Sequence, residues 1–313
     1  MLIDAVHASS PSASARDIAL DVVCVGAVLW DCLGRADVAL PRGSDMPGHI
    51  ARQPGGVAMN VAVALRRHGL SPLLLSAIGD DGAGDELIDA CRRLGVAMHY
   101  IQRVAGMPTD RYVAIEDAQG LVAAIADVRC LDAACGGLLE PLSDGRLGSA
   151  ERPWRGTLIV DGNVGEAVIG MLATAPAFAS ADLRIAAASP GKARSLLPLL
   201  AHPRATFHVN RDEAALICAQ AFADAAAAAQ GLLDRGAHRA VVTDGERYCC
   251  DAMRGAPPIN ATPDAVWVAR VTGAGDAFMA AHIAAEIQGA SREAALVAAL
   301  AAAAAHVASE GGA

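Results

Sequence analysis

The chain has 313 residues, of which 54% are hydrophobic but only 3% aromatic, and a formal net charge of −9. That length allows one large α/β domain or two small ones, with a core of small aliphatic side chains. An acidic chain without any Lys/Arg run excludes a nucleic-acid or membrane surface as its organising feature.

Eight cysteines include no Cys-x-x-Cys pair and no Cys/His cluster at metal-ligand spacing, which fits reduced thiols in a cytoplasmic protein. Residues 1–19 lack a basic leader region and read as a loose Ser/Ala-rich tail rather than a secretory signal. The longest apolar run, 294–308, is mostly alanine and shorter than the ~20 residues of a membrane span.

Asp21 to Val28 reads as a buried strand, with Asp31 at its end, either a turn residue or a ligand group. Only Gly26 follows that run, so the Gly-x-Gly-x-x-Gly of a dinucleotide fold is absent. So is Gly-x-x-x-x-Gly-Lys-Ser/Thr anywhere in the chain. Segment 34–54 is polar and broken by Pro41, Gly43, Pro47 and Gly48, an excursion from the main pattern. Gly55 and Gly56 then open a helix in which Val57, Val61 and Leu65 recur at spacing four, with Asn60 one turn in.

Leu73 to Ile78 reads as a second strand. The turn Gly79-Asp80-Asp81-Gly82-Ala83-Gly84 connects it to a helix closed by Gly95. Between 98 and 127 the period changes to that of a β-hairpin, Tyr112–Ile115 and Leu121–Ile125 around a turn ending at Gly120, a second excursion. The β/α alternation then resumes: strands at Thr157–Val160, Leu183–Ala187, Thr206–Val209 and Arg239–Val242, and helices at Val164–Ala173, after Pro190 and before Gly236. Such repeated units predict a mostly parallel sheet covered by helices. Ligands are then expected beyond the C-terminal strand ends, near Asp31, Asn163, Asn210 and Thr243.

The most particular stretch is Val271-Thr272-Gly273-Ala274-Gly275-Asp276-Ala277-Phe278. A strand-like run, Ala265 to Ala269, precedes it, and an Ala-rich helical run from Ala277 towards Ile287 follows. Small residues at a helix N-terminus let backbone N–H groups approach anionic oxygens. An aspartate there would repel phosphates, and makes sense as a base taking a proton from an attacking hydroxyl. Asn210-x-x-Glu213 offers a hard oxygen ligand for Mg²⁺ and, equally, a helix capping box.

Together these motifs resemble the ribokinase-like (PfkB) carbohydrate kinase family: Gly55-Gly56-x-x-x-Asn60, Asn210-x-x-Glu213, Thr243-Asp244-Gly245 and Thr272-Gly273-Ala274-Gly275-Asp276. The resemblance implies a three-layer sandwich with a mostly parallel central sheet, a single domain over 20–313, and a small β-sheet lid built from insertions 34–54 and 98–127. It implies ATP and Mg²⁺, with Asp276 as catalytic base and the backbone of Gly273, Ala274 and Gly275 as anion hole. Asp31, Gly55, Gly56 and Asn60 would hold acceptor hydroxyls, and Thr109 and Tyr112 are candidate contacts for a base. Asn210, Thr243, Gly245, Thr272 and His306 would serve the nucleotide, and Glu213 the metal.

The hairpin Pro108-Thr109-Asp110-Arg111-Tyr112, with its second strand ending Ile125-Ala126-Asp127, is most similar to pseudouridine kinases. Phosphoryl transfer to the 5′-hydroxyl of pseudouridine is therefore the expectation. A ribose, fructose or adenosine-type kinase and a non-catalytic nucleoside-binding protein are the alternatives. Members of the family often pair through the lid, so a homodimer is also expected. Two departures from the pattern stand out. Tyr248 replaces a glycine of the nucleotide turn, and Arg270-Val271 stand where many members carry Asp-Thr, so a monovalent cation would be repelled there.

Overall fold

In a computed structural model, which describes residues 20–134, 136–267 and 272–309, the short apolar runs become strands buried on both faces, as strands of a parallel sheet must be. The first half of the chain forms β1 (Val22–Val25), β2 (Leu29–Arg35), β3 (His49–Gly55), α1 (Val57–Arg67), β4 (Pro72–Leu75), β5 (Ala77–Gly79), α2 (Gly82–Arg93), β6 (Gln102–Val104), β7 (Arg111–Asp117), β8 (Gly120–Asp127) and α3 (Arg129–Ala134). The second half forms β9 (Thr157–Asp161), α4 (Glu166–Thr174), β10 (Asp182–Ala186), β11 (Ala205–Asn210), α5 (Arg211–Cys218), α6 (Ala225–Asp234), β12 (Arg239–Thr243), β13 (Cys249–Met253), β14 (Ile259–Ala261), α7 (Ala274–Ile287) and α8 (Arg292–Ala308).

An eight-stranded sheet runs in the order β14-β13-β12-β11-β10-β9-β1-β4. It is parallel from β12 to β4, and β13 and β14 add antiparallel strands at one edge. Helices cover both faces. On one, α1, α2 and α7 bury Met59, Val61, Leu65, Leu87, Met279 and Ile283. On the other, α3 to α6 bury Leu131, Val168, Ile169, Ile217 and Ala228 with Phe207 of β11. Alanine has a structural use here: Ala280, Ala284, Ala295 and Ala299 are buried where α7 lies against the sheet and α8, and a methyl group permits close helix approach.

A separate four-stranded sheet, β3-β2-β7-β8, stands over one end of the large sheet. It matches the small second sheet expected from the resemblance, although its first strand begins at Leu29, ahead of the expected 34–54 segment. Its base is fixed by buried polar contacts. Asp110 accepts backbone N–H bonds from Cys130 and Leu131 at 2.8 and 3.0 Å. The Trp30 indole donates to the Ala83 carbonyl at 2.8 Å, and the Arg52 guanidinium lies 3.7 Å over its ring.

Several local expectations are corrected. Asp31 lies within β2 of the small sheet, opposite Tyr112 of β7, rather than at the end of a main-sheet strand. The run Leu73–Ile78 is two strands broken at Ser76, whose hydroxyl donates to the Gly26 carbonyl. The segment after Pro190 winds as 3₁₀ turns over Pro190–Ala201 instead of an α-helix. Pro198 within it has no N–H and its ring obstructs α-helical bonding. Residues 265–267 of the expected Ala265–Ala269 strand carry no strand pairing, and its remainder, like Arg270, Val271 and the tail 1–19, lies outside the described residues. The β13–β14 hairpin was not legible, because Gly255, Pro257 and Pro258 interrupt the run without a periodic signal.

Candidate active site

A cavity of about 500 Å³ opens where the large sheet's strands end beneath the small sheet. Asn163, Asn210 and Thr243 reach it from the ends of β9, β11 and β12. Gly56 and Asn60 come from the start of α1, and Thr272, Gly273, Gly275 and Asp276 from the start of α7. Asp31, Tyr112 and Ala126 close it from the small sheet. Strand register explains the last set: Asp31 pairs with Tyr112 and Tyr112 with Ala126, so all share one face.

Asp276 sits in the first turn of α7. Its carboxylate oxygen Oδ2 accepts a 2.9 Å bond from Asn60 Nδ2. Burial pushes its pKa up to about 7. The Asn60 bond opposes that rise, and the charges of Asp161, Asp31 and Glu213 add to it. The N-cap of α7 is Gly273, at φ 86°, with no capping side chain. By contrast α2, α5, α6 and α8 are capped by Asp81, Asn210, Asp224 and Ser291. The first-turn N–H groups of α7 therefore remain available to an anion in the cavity. Only glycine fits at 273 on two counts: its left-handed φ, and His306 Nε2, which would lie 2.9 Å from an added Cβ.

Towards the small sheet, an added Cβ at Gly55 would fall 2.0 Å from Asp31 Oδ2, so the missing side chain makes room for that carboxylate. Burial raises the Asp31 carboxyl to about 6. Gly56, at φ 96°, lies so near the Ala27 carbonyl that an added Cβ would fall 2.4 Å from its oxygen. The start of α1 is capped from a distance by Asp161 at the end of β9. Its Oδ2 accepts from Ala27 N and Ala58 N at 2.9 Å each, and its Oδ1 from Asn163 N at 2.8 Å. A Cβ on Gly26 would meet the same carboxylate at 2.3 Å. Burial holds the Asp161 carboxyl above its usual range while these N–H bonds pull it down.

At the end of β11, the expected capping box is present. The Asn210 side chain accepts from Glu213 N at 2.8 Å, and Glu213 Oε2 accepts from Asn210 N at 2.9 Å. Glu213 still lines the cavity, and burial raises its carboxyl above the usual range. No cluster of three or more metal-ligating side chains exists among the described residues. That donor set fits Mg²⁺, which is typically held by one or two carboxylates together with substrate phosphates and water.

The remaining sequence-derived candidates lie outside the cavity wall. Thr109 is a correction: its hydroxyl is engaged with Asp81 and accepts from Gly79 N at 3.2 Å, so it anchors the hairpin instead of facing the cavity. Gly245, at φ 61°, shapes the turn after Thr243, where Asp244 pairs with Arg211 and Arg247. Tyr248, which stands where the family pattern has a glycine, packs against the core and is not among the residues lining the cavity. The His306 ring is 2.8 Å from the Thr272 carbonyl and braces the loop before α7.

Sequence reasoning passed over three residues that matter here. Asp161 was visible as a polar strand end, but nothing in sequence showed which backbone groups it holds. Lys192 lies in the first of the 3₁₀ turns that follow β10. His208 lies beneath the cavity and touches His282 of α7 at 3.3 Å. His282 in turn abuts the buried cluster in which Arg239 pairs with Asp251 and Glu286.

The profile of the pfkB family carbohydrate kinases matches residues 19–313. An uncharacterised sugar kinase of Escherichia coli (strain K12), YeiI, is 38% identical over 111 residues, which is 35% of this chain and 31% of that protein. The pseudouridine kinase of the same organism is 33% identical over 113 residues, 36% of each chain. The matched stretch thus spans about a third of each of these curated relatives. The solved ribokinase of Arabidopsis thaliana, complexed with ribose and ATP, superposes with a TM-score of 0.71 at 18% identity, covering 94% of both chains. Profile, motifs and fold agree: the chain belongs to the pfkB family of carbohydrate kinases.

Proposed function

We propose that the protein transfers the γ-phosphoryl group of ATP to the 5′-hydroxyl of a nucleoside, with pseudouridine as the acceptor. The observation that carries the transfer is Asp276, held by Asn60 at the uncapped N-terminus of α7, with a carboxyl near neutrality. A base of that pKa takes a proton at physiological pH as the hydroxyl oxygen attacks phosphorus. The N–H groups of the Gly273-Ala274-Gly275 turn then face the charge on the transferred group. Glu213 would hold the Mg²⁺ that accompanies ATP, and this ion, when bound, offsets phosphate charge. Asn210 and Thr243 border the nucleotide. Thr272 shapes the loop that His306 braces.

Asp31 and Asn60 present hydrogen-bonding groups to ribose hydroxyls, with Gly55 and Gly56 giving them clearance. Tyr112 on the small sheet faces the base. Closing that sheet over the acceptor excludes water, the competing phosphoryl acceptor. The single kinase domain is taken as 20–313, with the small sheet as its lid. The relative named as a pseudouridine kinase and the hairpin motif support the acceptor.

A free sugar is the second reading. It is favoured by the slightly higher identity to the relative named as a sugar kinase, and by an acceptor wall that reads hydroxyls more evidently than a base.

The small sheet also exposes Ile50, Val113, Ile115 and Ile125 on the face turned away from the cavity, with Ile50 85% and Ile125 72% exposed. Pairing of two copies through that face forms part of the proposal. A cytoplasmic setting accords with the free thiols of Cys24, Cys32, Cys91, Cys130, Cys218, Cys249 and Cys250. No helix among the described residues is long and apolar enough to cross a membrane.

The test is phosphate transfer from MgATP to pseudouridine, uridine, ribose and fructose in parallel, with Asp276→Asn as control. Preference for pseudouridine, lost in the variant, supports the whole reading. Preference for a free sugar keeps the transfer and replaces the acceptor. Binding without acceptor-dependent ATP consumption overturns the transfer.

A further inference from the structure

Lys192 is the only lysine in the chain. Among the described residues it is also the only Lys or Arg lining the cavity, whose carboxylates come from Asp31, Glu213 and Asp276. Other basic side chains of this region are neutralised: Arg184, Arg211, Arg239 and Arg292 all sit in ion pairs. Lys192 takes part in none among the described residues. A lone lysine on the wall of a cavity lined by carboxylates that it does not pair with has a reason to be there if an anion enters between them.

Strand order says where that anion passes. Lys192 follows β10, which lies between β9 and β1 on one side and β11 and β12 on the other. The acceptor groups Gly56, Asn60 and Asp31 gather at the β1 side, and Asn210, Glu213 and Thr243 at the ends of β11 and β12. A phosphoryl group moving from nucleotide to acceptor therefore crosses the end of β10.

The loop after β10 and the 3₁₀ turn that carries Lys192 are held in place. Ala188 adopts φ 67°, a left-handed conformation that costs a non-glycine residue about 1–2 kcal/mol. An added Cβ at Gly162 would lie 2.3 Å from the Ala187 carbonyl and 3.2 Å from Lys192 Cβ, so the loop rests directly on the end of β9. Lys192 N donates to the Ser189 carbonyl at 3.0 Å, and Ser195 Oγ donates to the Lys192 carbonyl at 2.7 Å. A strained residue kept by its surroundings beside a cavity marks a place where position matters.

We infer that the Lys192 ammonium binds the γ-phosphate of ATP and stays with the phosphoryl group as it passes to the acceptor. This inference rests on the phosphotransferase reading above. In the step, the bond between the γ-phosphorus and the β–γ bridging oxygen breaks, and its electron pair leaves with ADP. A bond forms between that phosphorus and the acceptor oxygen, whose proton goes to Asp276. Lys192 neither gains nor loses a proton. Its charge balances the oxygens of the group in transit, complementing the α7 backbone on the other side.

A single lysine allows a direct experiment. Acylation of the intact protein with acetic anhydride is followed by mass spectrometry of the peptide bearing Lys192, without nucleotide and with MgATP, MgADP or AMP. MgATP should slow labelling at least about tenfold, and AMP should have no effect. Equal labelling with and without MgATP overturns the inference. This readout needs no turnover, so a wild-type protein that phosphorylates none of the acceptors removes the functional reading while leaving the Lys192 contact testable.

In the active enzyme, Lys192→Met should lower kcat about 100-fold with the acceptor KM within about threefold of wild type, the size of loss seen when a preorganised transition-state contact is removed. Lys192→Arg should restore part of that loss. A Met variant that melts like wild type and retains its kcat overturns the inference.

Discussion

Asn60 and Asp276 lie 216 positions apart in sequence, and the Asn60 amide donates to the Asp276 carboxylate at 2.9 Å. That one bond joins the first glycine motif to the last and holds the proposed base against the start of α1. Because it favours the ionised carboxylate, it opposes the rise that burial imposes, and the net pKa is about 7. A base works only when ionised, so turnover should rise with pH through about 7 and level off above it. Asn60→Leu removes the opposing bond, and the acidic limb of the kcat/KM profile should move to higher pH. An unmoved limb would assign that titration to another group.

The same burial makes Asp276 a cost to the fold at high pH. Its folded pKa lies above the ordinary value of 3.8, so the folded state holds the proton more tightly than the unfolded chain. Stability from this group is full below about pH 4 and is lost as pH rises through about 7. Asp276→Asn should therefore abolish turnover and yet raise Tm at pH 8, on the order of a few degrees. The gain should shrink towards zero near pH 4. Thermal melts of both proteins across that range give the comparison.

Asp161 holds three backbone N–H groups from β1's exit, the start of α1 and its own turn. Asp161→Ala leaves buried donors unpaired, at a cost of about 2–4 kcal/mol read by urea denaturation. Because Gly56 and Asn60 are placed by those bonds, the acceptor KM should rise as well. Gly26→Ala should reproduce both effects more weakly, since its Cβ would collide with the same carboxylate.

Gly55→Ala separates the two halves of the cavity. Its Cβ would occupy the space of the Asp31 carboxylate, so that side chain must turn away. The acceptor KM should increase about tenfold or more, while MgATP affinity measured by calorimetry stays unchanged. A matching loss of MgATP affinity would mean that Asp31 belongs to the nucleotide half.

Ile50 and Ile125 present an apolar face of the small sheet to solvent. Replacing both with Asp should shift the sedimentation coefficient from that of a dimer to that of a monomer. A wild-type protein that sediments as a monomer removes the pairing proposal.

The motifs, the β/α alternation and the small-sheet hairpin were legible because each is local. Glycine pairs, capping patterns and period changes act within about ten residues, where backbone geometry and sequence are directly coupled. Placement was less legible wherever a side chain's partner is distant. Thr109 read as a base contact because its motif lies on the hairpin, but its hydroxyl is engaged with Asp81 and Gly79 of a different connection. Gly245 and His306 belonged to the expected nucleotide set, yet they shape and brace loops beside the cavity instead of lining it.

Sequence alone determined the alternation, the glycine-rich helix starts and the carboxylate within the last one, all consequences of local steric and hydrogen-bonding rules. Only the tertiary structure decided that Asp161 caps α1, that Asn60 meets Asp276, and that Lys192 stands between the two halves of the cavity. Those relations depend on strand order, since parallel strands carry residues far apart in the chain to the same end of one sheet. No window along the sequence contains that information.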